Sequence, residues 1–275
     1  MSRDVSGRPA FRPDLYRGTA ADYDRFRLPY PDELIEDLCR RAHVTGRGRL
    51  LDLASGPGTV TFALCDRFDE VWAVDLEPEA VEFGARKAVA LGAQNVRWMA
   101  GRAEDVEPEP TFDLVTIGTA FHRLDRRRVA ERAMRCLRPG GHLALLWSAT
   151  PLGGTDPWQQ RFIEIFADWG ERMDATERVP AGLDEHLEQL PHEQVLADAG
   201  FIVEERYEYA GTHDWSVEEL IGLVYSTSLL PRVVLGDRAA EFEADVEQRL
   251  REVQPTGLFR GPTSFAYDLA RRPDR

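Results

Sequence analysis

The stretch from Arg49 to Val60, Arg-Leu-Leu-Asp-Leu-Ala-Ser-Gly-Pro-Gly-Thr-Val, constrains this chain more than any other. Leu50, Leu51 and Leu53 form an apolar run long enough for a buried strand, with Asp52 inside it. After Ala-Ser-Gly-Pro-Gly, apolar residues at 60, 62, 63, 64 and 68 keep a helical rather than an alternating spacing. Thr59 reads as the N-cap of that helix. The unit is strand, glycine loop, helix, a turn at which glycines let the backbone approach a ligand.

The dinucleotide fingerprint G-x-G-x-x-G is met only in part, because Gly56 and Gly58 fit the first two positions while the third falls on Thr61. An acid within the strand, Asp52, is also foreign to it. The segment instead resembles motif I of class I S-adenosylmethionine-dependent methyltransferases, an acid followed by G-x-G-x-G, with Ala54 in place of the first glycine. The resemblance implies that S-adenosylmethionine lies against Ala54, Ser55, Gly56 and Gly58.

With 275 residues the chain can bury a full core. Its net charge of −14 argues against a nucleic-acid partner, whose affinity comes from clustered Lys and Arg. Cys39, Cys65 and Cys136 are scattered without metal-like spacing, which points to reduced thiols, a cytoplasmic protein and no metal. No run approaches the ~20 apolar residues of a membrane helix, so no membrane partner is expected. Residues 1–14 read as a loose terminus without a secretory signal.

From Leu15 to Arg41 a helical pattern is broken at Leu28-Pro29-Tyr30-Pro31. Tyr23 and Arg27 lie one helical turn apart, and the resemblance implies that such a pair meets the methionine carboxylate. The alternative is an amphipathic helix with surface arginines. A second strand, 71–75, ends in Asp75, placed to accept from both ribose hydroxyls, with Leu76 beside it. The other reading of Asp75 is a helix cap, since Pro78 opens the next helix. That helix runs from Glu79 to Leu91, with Gly92 as its C-cap.

After a third strand near Val96 to Ala100, the segment Gly101-Arg102-Ala103-Glu104-Asp105-Val106 resembles the family's adenine-side segment. Arg102 stands where an aspartate is usual and brings donors but no acceptor, which leaves the backbone at Ala103 and neighbouring Glu104. The fourth strand, 112–118, leads into Thr119-Ala120-Phe121-His122-Arg123-Leu124 at its carboxyl end, where open α/β sheets bind ligands. Ala-Phe-His here resembles a subgroup of small-molecule methyltransferases that includes the trans-aconitate type. Thr119 and Phe121 are read on the cofactor side, Phe121 alternatively as core, and His122 as a catalytic base or a pocket-shaping residue.

A helix from Asp125 to Leu137 carries its arginines on a solvated face. Leu-Arg-Pro-Gly-Gly before a fifth strand, 142–147, again resembles the family. From Thr150 to about Pro191 the alternation stops, and Trp158, Phe162, Ile165, Phe166 and Trp169 form a helix-spaced stripe, read as a lid. A sixth strand at 201–209, helices at 217–230 and 238–253, and a last strand at 265–269 follow. Tyr16, Arg123, Trp147 and Trp158 are the acceptor-side candidates.

The expected fold is a Rossmann-like class I sheet of order 3-2-1-4-5-7-6, its last strand antiparallel, with helical cap insertions. The expected divisions are an N-terminal cap (1–44), a cofactor core (45–150), a lid (151–190), and the remaining core with further cap helices (191–275). The resemblance implies methyl transfer from S-adenosylmethionine to an oxygen or nitrogen of a small molecule in secondary metabolism, with a homodimer left open. A carboxylate acceptor would need no base and would pair with Arg123 instead. An NAD(P)-dependent oxidoreductase and a non-catalytic S-adenosylmethionine-binding protein are the rivals from other classes.

Overall fold

The computed structural model describes residues 11–274 except 13 and 108–110, so most of the expected loose N-terminus lies outside the described residues. Seven strands form one sheet: β1 (Arg49–Leu53), β2 (Glu70–Asp75), β3 (Val96–Ala100), β4 (Phe112–Gly118), β5 (Leu137–Ser148), β6 (Ile202–Ser216) and β7 (Leu258–Arg271). Their order is 3-2-1-4-5-7-6, as expected from the sequence. β1 pairs in parallel with β2 and β4, β2 with β3, and β4 with β5. β7 runs the other way beside β5: Gly140 N–H donates to the Arg272 carbonyl at 3.1 Å and Arg272 N–H to the Gly141 carbonyl at 2.8 Å.

The helices are α1 (Ala20–Phe26), α2 (Asp32–Arg41), α3 (Thr59–Leu64), α4 (Pro78–Leu91), α5 (Arg126–Cys136) and α6 (Pro157–Arg172), then α7 (Leu183–Gln189), α8 (His192–Asp198), α9 (Val217–Tyr225), α10 (Arg232–Leu235) and α11 (Ala239–Val253). No helix among the described residues is long and apolar enough to cross a membrane. The chain divides into two compact units, with one boundary at Leu28/Pro29, inside the proline break noted above.

The sheet unit comprises Pro29–Trp147, Asp184–Tyr209 and Phe265–Arg275. Leu51, Leu53, Val115, Ile117, Leu143 and Leu145 pack with the inner face of α5 and with Val195 and Leu196 of α8. Burying such side chains contributes about 1.5–3 kcal/mol each. Asp37 of α2 accepts from Tyr209 Oη at 2.7 Å, from Tyr267 Oη at 2.5 Å and from Arg41 Nε at 2.8 Å. These donors hold its carboxyl far below the usual carboxylate range and tie α2 to β6 and β7.

The helical unit comprises Met1–Leu28, Ser148–Leu183 and Ala210–Ser264. The aromatic stripe of α6 is its core: Phe162, Ile165 and Trp169 are fully buried. Trp169 meets Phe242 of α11 edge-on and donates from Nε1 to Asp245 at 2.8 Å. α9 ends at Tyr225, short of the expected Leu230, because the Ser226 and Thr227 hydroxyls donate to the Leu223 and Val224 carbonyls at 2.6 and 2.7 Å.

Other boundaries also differ from the sequence reading. Gly58, not Thr59, is the N-cap of α3, at φ +104°. A Cβ there would lie 2.6 Å from the Trp98 ring and 2.7 Å from Phe62, so only glycine fits. β5, β6 and β7 are longer than expected. β6 is the edge strand and mostly exposed, so it lacks the buried alternation by which a strand is read.

Candidate active site

The loop between β1 and α3 is built from left-handed residues: Ala54 at φ +53°, Gly56 at +55° and Gly58 at +104°. Ala54 sits where motif I has its first glycine, and adopts the backbone that explains that glycine. The loop is anchored by Ser55 N–H to the Val74 carbonyl and by Gly58 N–H to the Ser55 carbonyl, both 3.0 Å. A Cβ added at Gly56 would meet nothing within 4 Å, so this glycine faces open space.

Asp75, at the tip of β2, accepts from Gly56 N–H at 2.7 Å and from Glu77 N–H at 2.9 Å. Burial pushes its carboxyl up, opposed by these amides. Each oxygen retains a lone pair for a further donor. Beside it Leu76 is 41% exposed, an apolar surface next to a carboxylate. Beneath the loop, Asp52 is fully buried and accepts from Thr61 Oγ1 at 2.6 Å and Thr116 Oγ1 at 2.8 Å. Burial raises its carboxyl to about 6.

On the β3 side, Arg102 is exposed and within 3.5 Å of Glu104 Oε1. Ala103 is buried in the core cluster. Glu104 accepts from Asp125 N–H at 3.0 Å, so its carboxylate is committed to the approach to α5.

At the end of β4, Thr119 has φ +50° and donates its N–H to the Leu146 carbonyl at 2.8 Å. Its Oγ1 is 3.2 Å from Tyr30 Oη. A β-branched residue in the left-handed region is a strained position, and such strain gathers at functional sites. Phe121 is fully buried in the core cluster, the second of its two readings. His122 Nε2 accepts from Arg123 Nε at 3.0 Å. Burial, reinforced by Arg123, pushes the His122 imidazole down to about 3. In this arrangement the ring is neutral and its acceptor nitrogen is engaged, unlike a general base poised near the working pH.

Trp147, at the end of β5, lies 6.2 Å from His122 on one side and stacks on His192 of α8 on the other, at 5.1 Å and 10°. Its Nε1 donates to Asp268 Oδ2 at 2.5 Å, and Asp268 also accepts from Arg206 Nη1 at 3.0 Å. His192, Asp268 and Arg206 were not read from the sequence: their contacts to Trp147 come from far along the chain and leave no local pattern.

Of the remaining candidates, Tyr16, Tyr23, Arg27 and Trp158 belong to the helical unit. Trp158 is buried there, its Nε1 donating to the Arg260 carbonyl at 3.2 Å. Arg27 stacks on Tyr23 and donates to Ser226 Oγ at 2.8 Å. The Tyr16 carbonyl accepts from Thr19 Oγ1 at 2.7 Å. No His, Cys, Asp or Glu cluster among the described residues suits a metal ion.

The space at Gly56, the apolar Leu76 beside Asp75 and the buried Ser55 hydroxyl without a partner among the described residues fit an adenosyl group with its ribose on Asp75. Comparison with known proteins brings methyltransferases to the same stretch of chain. The family described as methyltransferase domain matches residues 50–141. An uncharacterized methyltransferase of Mycobacterium tuberculosis is 36% identical over 127 residues, 46% of this chain and 49% of that protein. The chain thus spans about half the length of the first such relatives it matches. A demethylmenaquinone methyltransferase of Geobacillus kaustophilus is 28% identical, covering 61% of this chain and 76% of that protein. The structure of a proposed type II methyltransferase from Anaeromyxobacter dehalogenans superposes with a TM-score of 0.64 at 21% identity, covering 91% of this chain and all of that one. Residues 50–141 are thus similar to a methyltransferase domain, and the chain shares the fold of the Anaeromyxobacter structure. The 4+2 cyclase SpnF shares the fold at a TM-score of 0.52 and 19% identity, covering 88% of this chain and 81% of that one. Fold alone therefore does not decide the reaction.

Proposed function

We propose that the protein transfers a methyl group from S-adenosylmethionine to an oxygen or nitrogen of a small molecule. The observation that carries this reading is the Asp75 carboxylate bonded to Gly56 N–H, which joins an open glycine loop to a ribose acceptor at the carboxyl ends of parallel strands. S-adenosylmethionine supplies a methyl already activated on a sulfonium. Ala54, Ser55, Gly56 and Gly58 give the backbone surface for it, Asp75 accepts from the ribose, Leu76 packs on the adenine, and the Arg102–Glu104 segment borders the base. Thr119 and the neighbouring Phe121 backbone, at the carboxyl end of β4, would border the bound cofactor. Alignment alone can contribute about 7–11 kcal/mol to such a displacement.

Two observations favour an acceptor that is already anionic, a carboxylate, over a hydroxyl or amine that must lose a proton. His122 Nε2 is occupied by Arg123, and burial disfavours the protonated ring. On this reading His122 positions Arg123, Arg123 orients the acid, and Trp147 walls the pocket. The test is calorimetric titration with S-adenosylhomocysteine, NAD and NADP on the wild type and Asp75→Ala, followed by S-adenosylhomocysteine release with panels of carboxylic acids, phenols and amines. Micromolar binding of the first alone, lost in the variant, with turnover on acids, is the expected result. Binding of a nicotinamide nucleotide instead would overturn the assignment.

A further inference from the structure

The edge strand β3 sends one side chain against the cofactor loop. Trp98, half-buried at the middle of β3, lies with the outer edge of its benzo ring on two glycines. One is Gly58, the left-handed N-cap of α3 and the last glycine of the loop. The other is Gly84, buried in α4. A Cβ placed on Gly58 would stand 2.6 Å from Trp98 Cη2, and one on Gly84 would stand 2.2 Å from the same atom and from Cζ3. The ring therefore bridges helix and loop. Phe62 of α3 crowds Gly58 as well, its ring centroid 5.7 Å from that of Trp98.

Two features tie this fit to the indole and not to apolar filling in general. Gly84 has no positive φ that would call for glycine, and glycine is a poor residue for a helix interior, so what it supplies is room for Trp98. Trp98 Nε1 is buried and has no hydrogen-bond partner among the described residues. Phenylalanine on β3 would avoid that unpaired donor, yet it lacks the ring atoms that reach both glycines. A close-packed interior passes a displacement on to its neighbours, so a shift of this ring is felt at Gly58.

We propose that Trp98 is a positioning residue for the cofactor: wedged between Gly84 and Gly58, it holds the loop in its left-handed form from the packed side. A loop shaped before the ligand arrives lowers the ordering cost of binding. β3 has a single neighbour, β2, so the wedge also ties cofactor affinity to the open edge of the sheet. The role rests on the reading of this loop as the S-adenosylmethionine site and adds to it a residue that need not touch the ligand.

The experiment is calorimetric titration of the whole protein with S-adenosylhomocysteine, as wild type, Trp98→Phe, Gly84→Ala and the double variant, with the thermal midpoint of each measured alongside. Trp98→Phe withdraws the wedge and Gly84→Ala drives it into the loop, so each single variant is expected to bind about tenfold more weakly. The double variant is expected to bind no worse than Trp98→Phe alone, because the added methyl fills space the indole has left. A role in stability alone would move the midpoints and leave the affinities of the folded proteins level. Single variants that bind like wild type, or losses that multiply in the double variant, overturn the role. If Gly84→Ala fails to fold, Trp98→Phe and the double variant decide: equal affinities below wild type support the wedge, and any other result overturns it. A wild type that binds NAD in place of S-adenosylhomocysteine overturns the methyltransferase reading and not the wedge, which the same four proteins then test with NAD. A wild type that binds neither overturns both.

Discussion

Replacing Asp52 with asparagine keeps the shape of a side chain that is fully buried between Thr61 and Thr116 and removes its charge. Burial raises the folded-state value to about 6 from the ordinary 3.8, with Asp75 acting in the same direction. A raised carboxyl binds its proton more tightly folded than unfolded, so its stabilisation is complete below 3.8 and is lost as pH rises through 6. By linkage the ionised wild type is less stable than its protonated form by about 1.5 kcal/mol at pH 5 and about 3 kcal/mol at pH 8. Asparagine mimics the protonated form, so Asp52→Asn is expected to be the more stable protein, by a margin that doubles over this interval. At about 2 °C per kcal/mol for a chain of this size, the calorimetric midpoint rises by about 6 °C at pH 8. A margin that does not change with pH, or a variant less stable than wild type at pH 8, would refute the reasoning. A buried negative charge beneath the loop suits a sulfonium cation, so the variant should bind S-adenosylmethionine more weakly while losing less for S-adenosylhomocysteine, which lacks the sulfonium charge.

Three further outcomes follow from the same geometry. Ala54→Gly relieves a left-handed alanine, a cost of about 1–2 kcal/mol, against about 0.4–1 kcal/mol of added unfolded-state entropy; a midpoint higher by 1–2 °C, with cofactor affinity unchanged, is expected in a thermal melt. Asp37→Ala leaves the Tyr209 and Tyr267 hydroxyls without their acceptor and should destabilise by about 3 kcal/mol in urea titration, with Asp37→Asn intermediate. If His122 positions Arg123, kcat/KM shows no limb from this residue between pH 5 and 8, because its ring protonates only near 3; a limb near 6.5 that vanishes in His122→Gln would restore the base.

The parallel half of the fold was readable because each of its strands is a short apolar run followed by a turn signal. Leu50, Leu51 and Leu53 before Ala54-Ser55-Gly56, and the strand ending in Asp75, declare themselves within ten residues. The positive φ of Ala54 was implicit in the motif position it occupies. By contrast, the Trp147 surroundings depend on His192, Asp268 and Arg206, which reach it from α8, β7 and β6 through tertiary pairing. His122 reads from its residue type as a base or a pocket-shaping residue, and what bears on that choice, the Arg123 contact and the burial of the ring, is not reported by periodicity.

The place of β7 between β5 and β6 also has a consequence for how the chain is made. β1 to β5 can pair as they leave the ribosome, whereas β6 must wait for a partner about forty residues downstream. At ordinary translation speeds that interval is a few seconds. During it β6 is an unpaired edge, and its largely polar, charged sequence is what keeps the nascent chain from joining a neighbour. The carboxylate of Asp37, 230 positions before Tyr267, receives that hydroxyl only when the last strand slots in. Slowed elongation between Ser216 and Leu258 should therefore raise aggregation of this protein more than a pause of equal length placed before β6.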